Sequence, residues 1–265
     1  MRKTVPFEVI YEDSKIIAVN KASGIAVCAD RWDDSRERLD KLLAASLGME
    51  KVFIVHRIDR DTSGLVVFAK DEDTHRKLSM AFEGRQTEKR YIAVTRGRPS
   101  WNETVCDLPL VPDGNKWHHT IIDKYQGKKS LTRFRLLCIA GNYSVVEAVP
   151  ETGRTHQIRV HLASLGHSVV CDELYGNTKP VFLSAIKPGW RGNPSEERPL
   201  LGRLGLHAAE LLIPYERGPE YTGTAAIDKS GLLLKAPLPR DMAALINQME
   251  KCSGSSMELP AAAAE

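Results

Sequence analysis

The sequence predicts an α+β fold, a mixed and mostly antiparallel sheet core with flanking helices, and three observations lead there. Short β-rich runs recur from Val9 to Ala236, amphipathic helical segments are few and interspersed, and the two do not alternate in the rhythm of a parallel sheet. At 265 residues and 42% hydrophobic, the chain can also bury a full core. No internal repeat and no clear domain boundary appears, so residues 1–252 are expected to form a single domain. Beyond Ser253 the composition turns to Ser, Gly, Pro and Ala, and residues 253–265 read as a disordered tail.

Taken in order, Val9-Ile10-Tyr11 and Ile16 to Lys21 are β-rich runs split by the turn-like Glu12-Asp13-Ser14-Lys15, which together predict a hairpin. A third short run, Ile25-Ala26-Val27, follows Ser23-Gly24. Leu39, Leu42, Leu43 and Leu47 recur at helical spacing between Asp33 and Gly48, with Gly48 as the stop. Lys51–Val55 and Leu65–Ala69 read as strands on either side of a charged turn. A second helix is expected over Asp73–Phe82, with Asp73 at its start, where the helix dipole favours a carboxylate. Strands follow at Arg90–Thr95, Leu131–Leu137 and Tyr143–Val149, the first two separated by a loop-like polar segment, Pro99 to Lys129. Thr155–Leu165 reads as a helix capped by Thr155 and stopped by Gly166. The prolines between Tyr175 and Arg203 predict an irregular excursion. Leu206–Ile213 and Leu232–Ala236 are expected to pair antiparallel, and Met242–Met249 to be a last helix.

Composition excludes several functions and leaves others open. No stretch approaches the roughly 18 apolar residues needed to span a bilayer, and the N-terminus meets charge before any apolar run, so a soluble cytoplasmic protein without membrane contact is expected. Five scattered cysteines without C-x-x-C spacing suggest neither a disulfide framework nor a zinc site, and reduced, mostly buried thiols are expected. The net charge of +3 permits a nucleic-acid partner without arguing for one. No P-loop and no G-x-G-x-x-G fingerprint is present. His56-Arg57 before Asp59 superficially suggests a kinase catalytic loop, but the Asp falls one residue late and no D-F-G follows. His156 and His161 are five apart, roughly 140° around a helix, so they do not make a helical zinc pair.

Two stretches concentrate chemistry. From Val55 to Lys70 a charged segment runs through Ser63-Gly64 into an apolar strand. A carboxylate at the mouth of a buried strand can be held rigidly, partly desolvated and paired with a guanidinium, which suits a nucleophile or base. From Gly153 to His161 donor side chains crowd a helix start, a place for an anion that could be an Asp or a phosphate.

These residues resemble a known family. His56-Arg57-Ile58-Asp59-Arg60-Asp61-Thr62-Ser63-Gly64-Leu65, then Lys89 to Val94, then Gly153-Arg154-Thr155-His156-Gln157-Ile158-Arg159-Val160-His161, then Leu206-His207-Ala208 together resemble the motif set of the RluA-type pseudouridine synthases. The likeness runs from Val9 to about Met249, with Ala22 and Cys171 standing where the family has Pro and Gly. The resemblance implies the pseudouridine synthase fold over a catalytic domain of residues 1–252. It also implies isomerisation of uridine to pseudouridine in structured RNA, ribosomal or transfer, with no cofactor and no metal. It places the catalytic carboxylate at Asp59 rather than the nearby Asp61, its basic partner at Arg159, the aromatic that stacks on uracil at Tyr91, and the residue filling the gap of the flipped nucleotide at Arg57. His56, Arg154 and Gln157, inside the same motifs, are expected to bind substrate. RNA is then the partner, and the protein is expected to be a monomer. The alternative is a catalytically inactive RNA-binding protein of the same fold.

Overall fold

The computed structural model describes residues 6–29, 37–115, 119–216, 220–223, 225–228 and 231–254. In chain order the elements begin with β1 (Phe7–Asp13), β2 (Ile16–Lys21), α1 (Leu39–Ser46), β3 (Phe53–Ile54), β4 (Ser63–Ala69), α2 (Glu72–Glu83) and β5 (Glu88–Arg96). There follow β6 (Glu103–Cys106), β7 (Leu110–Val111), β8 (Ile121–Ile122), β9 (Thr132–Ala140), β10 (Tyr143–Pro150) and α3 (Gln157–Ser164). The last are β11 (Leu206–Ile213), β12 (Tyr221–Gly223), β13 (Ala225–Asp228), β14 (Gly231–Lys235) and α4 (Arg240–Ser253). This is the expected α+β architecture. The described chain divides into two compact units, one running up to Lys89 and taking in Ala208–Pro237, the other comprising Arg90–His207 and the segment from Leu238.

In the first unit the expected hairpin forms, β1 pairing antiparallel with β2. Its turn is fixed by Asp13, whose Oδ1 accepts the N–H groups of Lys15 and Ile16 at 2.8 Å each. Oδ2 accepts the hydroxyls of Tyr11 and Tyr215, also at 2.8 Å. Burial alone would raise the Asp13 carboxyl, but these four hydrogen bonds outweigh it and hold it below its ordinary value. β4 pairs with β2 and β3, and every one of its residues is buried. That explains why Leu65 to Ala69 is a continuous apolar run rather than an alternating one. On one face Leu65 and Val67 join Ile16, Ala18, Leu211, Leu232 and Leu234 in a core that receives Leu78 of α2.

Local chemistry sets the helix boundaries. The cap of α2 is Asp71, two residues before the expected Asp73, because its carboxylate accepts both the N–H and the hydroxyl of Thr74 at 2.8 Å. α1 begins at Leu39, where its first N–H meets the carbonyl of Ala26, and ends at Gly48 in the left-handed region, φ 64°. The expected run Ile25–Val27 makes only an isolated parallel bridge, Ala26 to Arg38. Residues 33–36, in the expected first helix, lie outside the described residues, as does the expected tail from residue 255.

In the second unit the strand order is β5-β10-β9-β6, all antiparallel, with β7 and β8 paired apart from it. Ile158 and Leu162 of α3 pack with Ala93, Phe134, Val146 and Ala148. The polar segment expected to be loops holds β6, β7 and β8: Glu103–Cys106 is too short and polar to read as a strand, yet β9 recruits it, Cys106 opposite Thr132. The Thr155 cap is also corrected. His156 is the capping residue, at φ 54°, ψ 17° and without a side-chain cap, while Thr155 is exposed. The excursion after Tyr175 is irregular as expected, with one short 3-10 turn, Leu183–Ala185. Among the described residues no helix is long and apolar enough to cross a membrane.

A buried lysine joins the loops of the first unit. Lys21 is 0% exposed, and its ammonium donates to the carbonyls of Ala22, Ile25 and Arg60 at 2.8 Å each. Lys21→Met keeps the stem and strips the donors from three carbonyls, so it is expected to destabilise the fold by about 2–4 kcal/mol in urea unfolding. A loss below about 0.5 kcal/mol would show that water or other donors replace the ammonium.

Candidate active site

The first unit supplies the segment His56–Gly64. Its backbone is held at several points: Gly24 donates to the Arg60 carbonyl at 2.9 Å, the Ser23 hydroxyl to the Asp61 carbonyl at 2.7 Å, and Thr62 N–H to the Asp59 carbonyl at 3.2 Å. Lys21 adds its bond to Arg60. Gly64 stands at φ 115°, and a β-carbon there would run into the backbone of Ala208, so this turn requires glycine. Along the clamped segment Arg57 and Arg60 are exposed, Ile58 is buried and Asp59 is half-buried. Asp61 lies beside Arg60 at 3.3 Å, an exposed contact of little energetic weight.

His56 closes the segment from the other side. Its Nε2 accepts the N–H of Val67 at 3.0 Å, and its ring stacks on Phe82 at 4.5 Å. Burial, with Lys89 nearby, pushes its pKa down to about 3, so the ring is neutral at pH 7 and suited to accept that bond. In the structure His56 therefore ties the start of the segment to β4.

In the second unit Arg159 is the third residue of α3 and only 5% exposed. Its Nε and Nη2 each donate at 2.8 Å to the two oxygens of Asp172, a fully buried bidentate pair. Asp172 also accepts the N–H groups of Leu174 and Tyr175 at 3.0 and 3.1 Å. Burial would raise this carboxyl, but Arg159 and the backbone donors hold it below its ordinary value. The Arg159 guanidinium lies over the Tyr175 ring, 5.2 Å from its centre. The Tyr175 hydroxyl meets His156 Nδ1 at 2.9 Å and accepts the Thr120 N–H at 2.9 Å. The segment Asp172–Gly176, to which the motifs above assign no role, supplies a carboxylate partner of Arg159.

Gln157 organises the turn before α3. Its Oε1 accepts the Thr152 hydroxyl at 2.7 Å and the Arg154 N–H at 3.0 Å, and its Nε2 donates to the Leu131 carbonyl at 3.0 Å and to Thr132 Oγ1 at 2.9 Å. All four positions of the amide are used inside the protein, which makes Gln157 a builder of the turn. Thr132 passes its own hydrogen to His161 Nδ1 at 3.0 Å, and His161 Nε2 donates to the Leu108 carbonyl at 3.0 Å. Burial holds His161 below its ordinary pKa, in keeping with a neutral ring. Arg154 is half-buried and gives its Nε to the Lys129 carbonyl at 3.2 Å. Tyr91, on β5 opposite Ala148, is half-buried and packs on the core beneath α3. Among the described residues no group of three or more His, Cys, Asp or Glu side chains could hold a metal ion.

Comparison with known proteins places these residues in a family. Residues 15–164 match the family model described as RNA pseudouridylate synthase. The chain is 37% identical over 215 residues to ribosomal large subunit pseudouridine synthase D of Zymomonas mobilis subsp. mobilis, covering 78% of this chain and 64%, less than two thirds, of that one. It is 36% identical over 211 residues to the dual-specificity RNA pseudouridine synthase RluA of Vibrio cholerae, covering 79% of this chain and 78% of that one. It also shares a fold with human RNA pseudouridylate synthase domain containing 4, at a TM-score of 0.66 and 22% identity over 96% of this chain and 94% of that one. The matched span contains the clamped Asp59 segment, Tyr91 and the Arg159 helix, and the chain belongs to the RNA pseudouridylate synthase family, among its RluA-type members.

Proposed function

We propose that this protein isomerises uridine to pseudouridine in structured RNA. The observation that carries this is the family match across residues 15–164, which takes in the segment that fixes the Asp59 backbone and the helix that carries Arg159. The reaction breaks the bond from ribose C1′ to uracil N1 and forms one from C1′ to C5, while the C5 proton leaves and N1 gains one. Atoms and electrons balance without a co-reactant, so a positioned carboxylate suffices. Asp59 is proposed to be that carboxylate, within a segment whose backbone is clamped. Tyr91 is proposed to stack on the target base and Arg57, exposed beside Asp59 in the sequence, to fill the gap it leaves. Arg159, aimed by Asp172, supplies fixed positive charge, and Arg154 contacts the RNA. His56 and Gln157 act through the backbone they hold. Ribosomal RNA is the proposed substrate class, supported by the name of the Zymomonas relative, with transfer RNA the alternative. The protein is proposed to act in the cytoplasm as a monomer.

RNA carrying tritium at C5 of uracil tests the reading, because isomerisation releases that label to water. Asp59→Ala is expected to lower release by about 10²–10⁴-fold with an unchanged urea midpoint; equal release by both proteins would remove Asp59 from the chemistry, and none from the wild type would favour an RNA-binding protein without activity. Tyr91→Ala is expected to abolish release while RNA affinity stays within about threefold, because phosphate contacts dominate binding. Loss of both together would count against the stacking role. Asp172→Ala removes the two hydrogen bonds that a buried guanidinium gives its carboxylate, so unfolding in urea is expected to show a loss of about 3–5 kcal/mol. Stability within about 1 kcal/mol of wild type would mean that Arg159 does not depend on Asp172.

A further inference from the structure

Several arginines of the second unit are held by acceptors of the protein. Arg90 and Arg135 share Glu147 at 3.2 and 3.1 Å, and Arg133 takes Glu151 at 2.6 Å. Arg96 and Arg98 donate to the carbonyls of Lys179 and Gly141 at 2.6 and 2.9 Å. Lys124, Lys128 and Lys129 lie close together in the sequence, all three are exposed, and no carboxylate pairs with them among the described residues. No acid interrupts the sequence from Lys124 to Lys129, and between these lysines stands Tyr125, 98% exposed, the most exposed large hydrophobic among the described residues.

The turn that carries Tyr125 is built to hold it there. Asp123 Oδ1 accepts the N–H groups of Tyr125 and Gln126 at 2.8 and 3.0 Å, and its carbonyl accepts that of Gly127 at 2.9 Å. The Asp123 N–H reaches the Pro109 carbonyl at 3.1 Å, and Lys128 exchanges two backbone hydrogen bonds with Leu110 at 2.9 and 3.0 Å. A β-carbon on Gly127 would run into the backbone of Asp123 and Pro109. These bonds fix where the solvated ring stands, in the same turn as the exposed lysines. The Lys129 carbonyl receives Arg154, so the turn is continuous with the residues before α3.

We propose that the Asp123–Gly127 turn is a docking point for single-stranded RNA, with a base stacked on Tyr125 and the neighbouring phosphates on Lys124, Lys128 and Lys129. Flat ring and uncompensated lysines without hydrogen-bond readout fit a sequence-tolerant strand, the flank of the target rather than the target base. The proposal deepens the isomerase reading by naming where the substrate is gripped, and it rests on RNA being that substrate.

Fluorescence anisotropy with a labelled oligouridylate of about 12 nucleotides tests it. Tyr125→Ala is expected to weaken binding by about tenfold, and Tyr125→Phe, which keeps the ring, by less than about twofold. Lys128→Gln with Lys129→Gln is expected to reduce the slope of log affinity against log salt by about 1.4. Equal affinity of Tyr125→Ala and wild type, equal loss in the Ala and Phe variants, or no binding by the wild type would each overturn the docking turn. Tritium release by the wild type, measured alongside, keeps the two proposals apart. An inactive protein whose affinity depends on Tyr125 sinks the isomerase and keeps the turn, and an active one whose affinity ignores Tyr125 does the reverse.

Discussion

A fully buried ammonium is tolerated only when its donors meet acceptors, and Lys21 meets that condition with carbonyls from two irregular segments. Neither segment has a strand ladder to satisfy those carbonyls, so the lysine takes the place of a neighbouring strand. The Arg60 carbonyl accepts twice, from Lys21 and from Gly24, and Ser23 and Thr62 satisfy the carbonyls on either side. With His56 fastened to β4, the segment that carries Asp59 has its backbone held at several points. That constraint is what the role proposed for Asp59 needs, since a loosely held carboxylate loses much of its effectiveness.

The second unit uses neutral and charged side chains for the same purpose. Gln157 links the segment Thr152–Arg154 to the start of β9, and His161 extends that link to the Leu108 carbonyl. Asp172 does the equivalent for the turn that follows it, with Arg159 as the charge that makes its burial tolerable. His156 pays for this arrangement in its backbone: a left-handed residue without glycine's freedom is held there with its ring bonded to Tyr175. Strain of this kind persists only where the surroundings fix it from several sides.

Much of this was legible in the sequence, and what was not has a common cause. β4, β5, β9, β10, α2 and α4 announce themselves because their apolar patterns are local. β6, β7 and β8 do not, because each is short and becomes a strand only through a partner elsewhere in the chain. The cap at Asp71 rather than Asp73 turns on which carboxylate reaches Thr74, a matter of geometry that two neighbouring acids do not reveal. The candidate residues were legible as motifs, but their physical roles were not. Gln157 looks like a substrate ligand until its four partners are seen, two of them 3 and 5 residues away and two 25 and 26. Lys21 is legible only as the end of a β-rich run, and its bond to the Arg60 carbonyl, 39 residues on, is not.

The start of α3 shows how a sequence motif and a physical site can differ. Its crowded donors suggest an anion held at a helix N-terminus, with an Asp or a phosphate as the choices. The structure supplies an Asp, Asp172, but the guanidinium of Arg159 holds it and the helix N–H groups do not. α3 is eight residues long, its first turn carries no acid, and its capping residue is strained. The helix dipole is therefore a minor contributor, and the arginine, held from one side by two parallel hydrogen bonds and covered by the Tyr175 ring, is the fixed positive charge of this segment. A guanidinium anchored through Nε and Nη2 cannot swing without breaking both bonds, so its direction is set by the fold, and a lysine at this position could not reproduce that aim.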